Sequence, residues 1–186
     1  MSFNKHFNLV GKHAFLSASK YHWIRYDEEK LGQSFVTAMA AARGTRLHEI
    51  AMNLIKEGIK LDDTRATLNA YVNDAIGYRM TPELILYYSD NCFGTADAVS
   101  FRNGLLRIHD LKTGVNPSSM DQLLIYAAMF CLEYEMKPPS IEMELRIYQN
   151  DEIEVLEPDP HDVIQIMDTI RKFDEVIERK KWEVSE

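Results

Sequence analysis

Two aspartates and a lysine stand within one short stretch, FGTADAVSFRNGLLRIHDLKTG, spanning Phe93 to Gly114. They are Asp97, Asp110 and Lys112. Asn103-Gly104 lies between two alternating segments and is a strong hairpin signal. If that pair forms a two-residue turn, Arg102 faces Leu105, and the same register carried back puts Asp97 opposite Asp110. Directly opposed residues have Cβ atoms roughly 4.5–5.5 Å apart, where like charges destabilise a strand pair. Alternation also predicts one face holding Val99, Phe101, Leu106 and Ile108 with both aspartates, ending where Thr95 faces Lys112. A carboxylate pair at the rim of an apolar face needs protonation, solvent or a cation. Two readings are open: a solvated sheet edge with one ion pair, or a site for a divalent metal.

Further candidate ligands lie upstream. In GTRLHEIAMNLIKEG, His48 shares a helical face with Ala51, Met52 and Ile55, so it points inward. It is either a hydrogen-bonded core histidine or an imidazole ligand, which two carboxylates would complement around a divalent ion. Glu83 opens the strand before the hairpin and either supplies a fourth oxygen or is an exposed strand-end charge.

These residues need elements to position them. Ser17-Ala-Ser19 is a candidate cap for a short helix through about Lys30. Helix is predicted from about Gln33 to Glu57, with a break near Gly44-Thr45 and a stop at Gly58, and again from Asp63 to Ile76. Pro82 precedes a strand, ELILYYSD, and the hairpin follows. The segment NPSSMDQLLIYAAMFCLEYEMKPP reads as a helix capped by Ser118 and closed by Pro138-Pro139. IEMELRIYQ alternates like a strand, and Val163, Ile166, Met167, Ile170, Phe173 and Ile177 recur at helical spacing between about His161 and Trp182. The expected fold is a single α/β domain over 1–186, a mixed and mostly antiparallel sheet flanked by helices.

Composition narrows the class. The chain has 186 residues, is 46% hydrophobic and 27% charged, and carries a formal net charge of −8. That charge argues mildly against nonspecific binding to a polyanion. No apolar run approaches the ~20 residues of a membrane span, and MSFNKHFNLVGKHAF lacks the pattern of a signal peptide. No membrane association and a cytoplasmic location are therefore expected. Cys92 and Cys131 are the two cysteines, too few for a disulfide framework or a cysteine-rich metal cluster. Cys131 is expected in the core.

Four motifs in order now stand out: GTRLH with His48, GTAD with Asp97, DLKTG with Asp110 and Lys112, and QLLIY with Gln122 and Tyr126. In order and spacing the chain resembles the PD-(D/E)XK nuclease superfamily, specifically its RecB-like and phage exonuclease-like branch. SASKYHW is similar to the serine-containing opening helix of that group, so the likeness runs from about Ser17 to Tyr148.

The resemblance implies a restriction-endonuclease-like core and a metal-dependent deoxyribonuclease, an exonuclease more than an endonuclease. It would act on DNA ends or single strands in phage or bacterial recombination, repair or replication, in the host cytoplasm if phage-encoded. It implies Mg²⁺ or Mn²⁺ held by His48, Asp97, Asp110 and the Leu111 backbone carbonyl, with Lys112 orienting or activating water. Gln122 and Tyr126 would support the lysine or the DNA. Ser118 and Ser119 could offer hydroxyls and N–H groups to phosphate. Some members hold an iron–sulfur cluster on four cysteines; none is expected here. Packing by Tyr21, Trp23 and Trp182, or a homo-oligomer, would take over its stabilising role. Lys12, Lys20, Arg25, Arg43, Arg46, Arg79, Arg102 and Arg107 are candidates for a local DNA groove. A phage recombination or replication partner is a further expectation; the alternative is a catalytically silent nuclease-fold accessory or inhibitor protein that binds nucleic acid or a protein partner.

Overall fold

Asn103 and Gly104 both take positive φ, 53° and 81°, as a type I′ turn requires. Strands β2 (Cys92–Arg102) and β3 (Leu105–Leu111) leave this turn antiparallel, pairing Arg102 with Leu105 and Ala98 with His109. The expected hairpin, and its register from the turn back to Ala98 and His109, are therefore present in the computed structural model, which describes residues 5–185. Strand β1 (Thr81–Ser89) pairs antiparallel to β2 on the other side. After β3 the chain crosses through helix α3 (Asp121–Glu133) and returns as β4 (Glu142–Gln149), parallel to β3. A second two-residue turn, Asn150-Asp151 with φ of 52° and 61°, leads into β5 (Glu152–Leu156). The result is an α/β fold with a five-stranded mixed sheet in the order β1-β2-β3-β4-β5. Strand β5 extends the sheet beyond what the strand pattern predicted, although Ile153 and Val155 alternate after a good turn signal.

Helices cover both faces. Leu123, Ala127, Phe130 and Cys131 of α3, with Val163 and Met167 of α4 (Pro160–Ser185), pack on Leu106, Ile108, Leu145 and Ile147. Burying each such aliphatic side chain contributes roughly 1.5–3 kcal/mol. On the opposite face, Tyr71, Val72 and Ala75 of α2 (Thr67–Gly77) meet Ala98, Leu111 and Tyr148. Ala51 and Ile55 of α1 (Glu28–Glu57) join them. Two compact units divide the chain, Met1–Arg43 and Gly44–Glu186, and every candidate site residue lies in the second.

Several element ends differ from expectation for local reasons. Ser17 does not cap a helix through Lys30: Ala18–Arg25 is a kinked 3-10 segment, and Ser17 Oγ lies 2.7 Å from Ser19 Oγ. Asp27 instead accepts from Lys30 N at 2.8 Å, at the start of α1. No break interrupts α1 at Gly44-Thr45. It stops at Gly58, φ 67°, where Ile59 N donates to Leu54 O at 2.9 Å and Gly58 N to Ile55 O at 3.2 Å. Helix α2 begins at Thr67 rather than Asp63 because Asp151 Oδ1 accepts from Thr67 N at 2.8 Å and Thr67 Oγ1 at 3.0 Å. Ser118 is not the cap of α3; Ser119 Oγ accepts from Asp121 N at 3.1 Å. Glu135, φ 54°, ends that helix before the prolines, with Met136 N donating to Cys131 O at 2.9 Å.

Cys131 is buried as expected; of the aromatics expected to pack, Trp23 is half-buried and donates Nε1 to Ser17 O at 2.9 Å, whereas Tyr21 and Trp182 are 56% and 74% exposed. No helix among the described residues is long and apolar enough to cross a membrane.

Candidate metal centre

The site begins with a local break in strand regularity. Glu83 takes φ 52° inside β1, a left-handed conformation that a non-glycine residue rarely adopts in a strand. Pro82 pairs with Ala98 and Leu84 with Ala96 on either side of it. Across from it, Ala96 and Val99 pack in the same hydrophobic cluster while Ala98 packs in the opposite one. Strict alternation would separate Ala96 from Val99, so the pleat slips at Asp97. The expected face shared by Asp97, Val99 and Phe101 is corrected accordingly. The β2–β3 ladder runs back only to Ala98 and His109, so Asp97 and Asp110 are not a ladder pair, nor are Thr95 and Lys112. Asp97 Oδ2 instead accepts the Leu111 backbone N–H at 2.8 Å. The carboxylate does locally what a strand carbonyl would have done.

That slip brings three candidate ligands together. His48, on the face of α1 that carries buried Ala51 and Ile55, places Nδ1 3.4 Å from Asp97 Oδ2. One ligand atom each from His48, Glu83 and Asp97 lies within 4.8 Å of the others. Glu83, for which the sequence allows either a ligand or a surface charge, is thus a member of the group. Asp110 is not in that triad and turns to Lys112. Lys112 Nζ donates to Asp110 Oδ1 at 3.1 Å and lies 3.0 Å from Oδ2 without hydrogen-bond geometry.

Electrostatics tie Asp110 to the triad nonetheless. Burial, followed by the charge of Asp97, raises the Asp110 carboxyl above its ordinary range, and Lys112 opposes the rise. Burial and then Asp97 raise Glu83 in the same way, while His48 and Lys56 oppose. The hydrogen bond to Asp97 raises His48, against the effect of its own burial. Three carboxylates therefore share one region with too little positive charge, and Asp110 Oδ2 is buried with no hydrogen-bond partner. An imidazole, carboxylate oxygens and an orphaned buried oxygen suit a divalent cation.

The supporting residues form a continuous chain. Gln122 Oε1 accepts from Lys112 Nζ at 2.8 Å, Gln122 Nε2 donates to Tyr126 OH at 3.5 Å, and Tyr126 OH donates to Thr95 O at 2.7 Å. Two glycines sit at close approaches. A Cβ at Gly94 would lie 3.1 Å from Tyr126 Cε1, and one at Gly44 would lie 2.7 Å from Thr113 Oγ1. The glycines of GTAD and GTRLH thus make room for the residues of QLLIY and DLKTG. Leu111 presents its N–H to Asp97 and its side chain to the core. Among the described residues Ser118 and Ser119 make no hydrogen bond to this chain of residues; Ser119 is engaged with Asp121. Arg107 is not a free groove residue, since its Nε lies 2.9 Å from Glu144 Oε1 and its guanidinium sits over Tyr78. Lys12, Lys20, Arg25 and Arg43 belong to the first unit.

No protein-family model matches the chain, and no curated protein does. The crystal structure of SSO0001 aligns with a TM-score of 0.36 and 13% identity, covering 79% of this chain and 66% of that one. The chain thus spans just under two thirds of that protein, and a likeness at this level carries no argument.

Proposed function

We propose that this chain is a metal-dependent DNA nuclease with a PD-(D/E)XK core of the RecB-like kind, an exonuclease more than an endonuclease. One observation carries the reading. Lys112 Nζ bridges Asp110 and Gln122 at 3.1 Å and 2.8 Å, while Asp97 meets His48 beside Glu83. Four motifs separated in sequence are thereby drawn into one region.

His48, Glu83 and Asp97 would hold Mg²⁺ or Mn²⁺, with Asp110 adding charge. When bound, such a cation supplies polarisation of a scissile phosphate and a lowered pKa for water. The remaining work falls to this chain's own groups. An ammonium has three N–H donors, and Asp110 and Gln122 occupy two at Lys112. The third is available to an attacking water or a phosphate oxygen. Tyr126, by donating to Thr95 O, leaves its oxygen to accept from Gln122 Nε2. The Gln122 carbonyl is thereby turned toward the lysine, which fixes the ammonium in place.

End-labelled linear single- and double-stranded DNA, beside a closed circle, tests the reading with Mg²⁺, Mn²⁺ or chelator. Linear DNA should be lost only with metal, and Lys112→Ala should lower the rate by ~10²-fold or more. Cleavage in chelator, or an unchanged rate for the variant, would remove the assigned roles. The net charge of −8 favours one second reading, a silent accessory or inhibitor subunit. Metal binding without cleavage of any substrate would select it.

A further inference from the structure

Each carboxylate around the candidate centre has an orienting donor except one. Asp97 has the Leu111 N–H and Asp110 has Lys112. The Glu83 carboxylate makes no hydrogen bond among the described residues, although the residue sits on a strained backbone at φ 52°. A metal-ligating carboxylate ordinarily carries a hydrogen bond that fixes its orientation.

A matching donor stands nearby. Tyr71 on α2 is 2% exposed, and its ring packs edge-on to Tyr148 at 5.4 Å. Its cluster neighbours include Ala98 and Leu111, each next in sequence to one of the aspartates, and Ala51, one turn beyond His48. Its hydroxyl has no hydrogen-bond partner among the described residues. It is also not sealed from solvent as His109 Nε2 and Asp110 Oδ2 are. The small exposed remainder of this tyrosine therefore includes its hydroxyl. Burial, then the charges of Asp97, Glu83 and Asp110, push the phenol above its ordinary range, so it stays a neutral donor. An unbonded donor thus belongs to the cluster whose members adjoin His48, Asp97 and Asp110 in sequence, and Glu83, grouped with His48 and Asp97, is the carboxylate there whose side chain has no donor.

We propose that Tyr71 is a positioning residue for Glu83, its hydroxyl donating to the Glu83 carboxylate when a divalent cation is bound. This rests on the metal reading above. It predicts that the hydroxyl is dispensable for folding and needed for ion affinity.

The test is Mn²⁺ titration by calorimetry on the wild-type chain, Tyr71→Phe, Glu83→Gln and the double variant, with melting in chelator as the folding control. Tyr71→Phe should melt like wild type and bind Mn²⁺ ~10–100-fold more weakly. In the Glu83→Gln background the same change should cost little more, because its acceptor is gone. Unchanged Mn²⁺ affinity in Tyr71→Phe, or a full additional loss in the double variant, overturns the pairing. A melting loss in Tyr71→Phe without an affinity loss gives the hydroxyl a structural role only and overturns it too. No Mn²⁺ binding by wild type would instead overturn the underlying metal reading, and the pairing with it.

Discussion

Asp97 does two jobs whose requirements conflict. Its carboxylate completes the backbone bonding of Leu111, yet its charge raises both Glu83 and Asp110. Asparagine keeps an oxygen acceptor and removes the charge. In chelator, Asp97→Asn should therefore leave stability within ~1 kcal/mol of wild type, while Asp97→Ala, which leaves a buried N–H unpaired, should cost ~1–3 kcal/mol. Denaturant titration of both separates the two jobs; equal losses would contradict the division.

His109, on β3, works in the opposite sense. Tyr148 OH donates to Asp74 Oδ2 at 2.7 Å, so His109 Nδ1–H donates to the tyrosine oxygen at 3.1 Å, and Nε2 is left without a partner. Burial, followed by the charges of Arg146 and Arg107, holds this histidine down to about 3. Below pH ~6.5 the unfolded chain takes up a proton that the folded chain refuses until pH ~3. Stability should therefore fall with pH across that window, by up to about 1.4 kcal/mol per unit from this group. Denaturant melts at pH 7, 6 and 5 in chelator should show the slope, and His109→Phe should flatten it.

At the scale of elements, α1 and the segment after β3 are matched by a missing side chain. A Cβ on Gly44 would meet Thr113 Oγ1 at 2.7 Å, although alanine in a helix interior is favoured over glycine by ~0.5–1 kcal/mol. Gly44→Ala alone should be neutral or destabilising. In a Thr113→Ala background it should stabilise by ~0.5–1 kcal/mol, and equal effects in both backgrounds would deny the close approach. A lone glycine in a helical pattern predicts a break at Gly44, because the pattern carries no record of what approaches it. The hairpin was legible, since Asn103-Gly104 fixes its register locally. The start of α2 was not, because its cap comes from Asp151, distant in sequence. Asp97, Asp110, Lys112 and His48 could be named from motifs and spacing. The slip that turns Asp97 toward His48, and draws Glu83 in, depends on a strained φ that no residue type announces.

For the whole molecule, the proposal places a cation-dependent site on an acidic chain of net charge −8. Substrate phosphate must then be attracted by the bound ion and by locally placed basic groups, since the molecule's overall field opposes a polyanion. The ion is the central claim, because without it the convergence of Glu83, Asp97 and Asp110 is offset only by His48, Lys56 and Lys112. Crystals of the wild-type chain soaked in Mn²⁺, measured for anomalous scattering, test it most directly. A peak bounded by His48, Glu83 and Asp97, and absent from Asp97→Ala crystals, is the predicted result. Bound Mn²⁺ elsewhere with none among these three residues, or no peak at saturating Mn²⁺, would contradict the account.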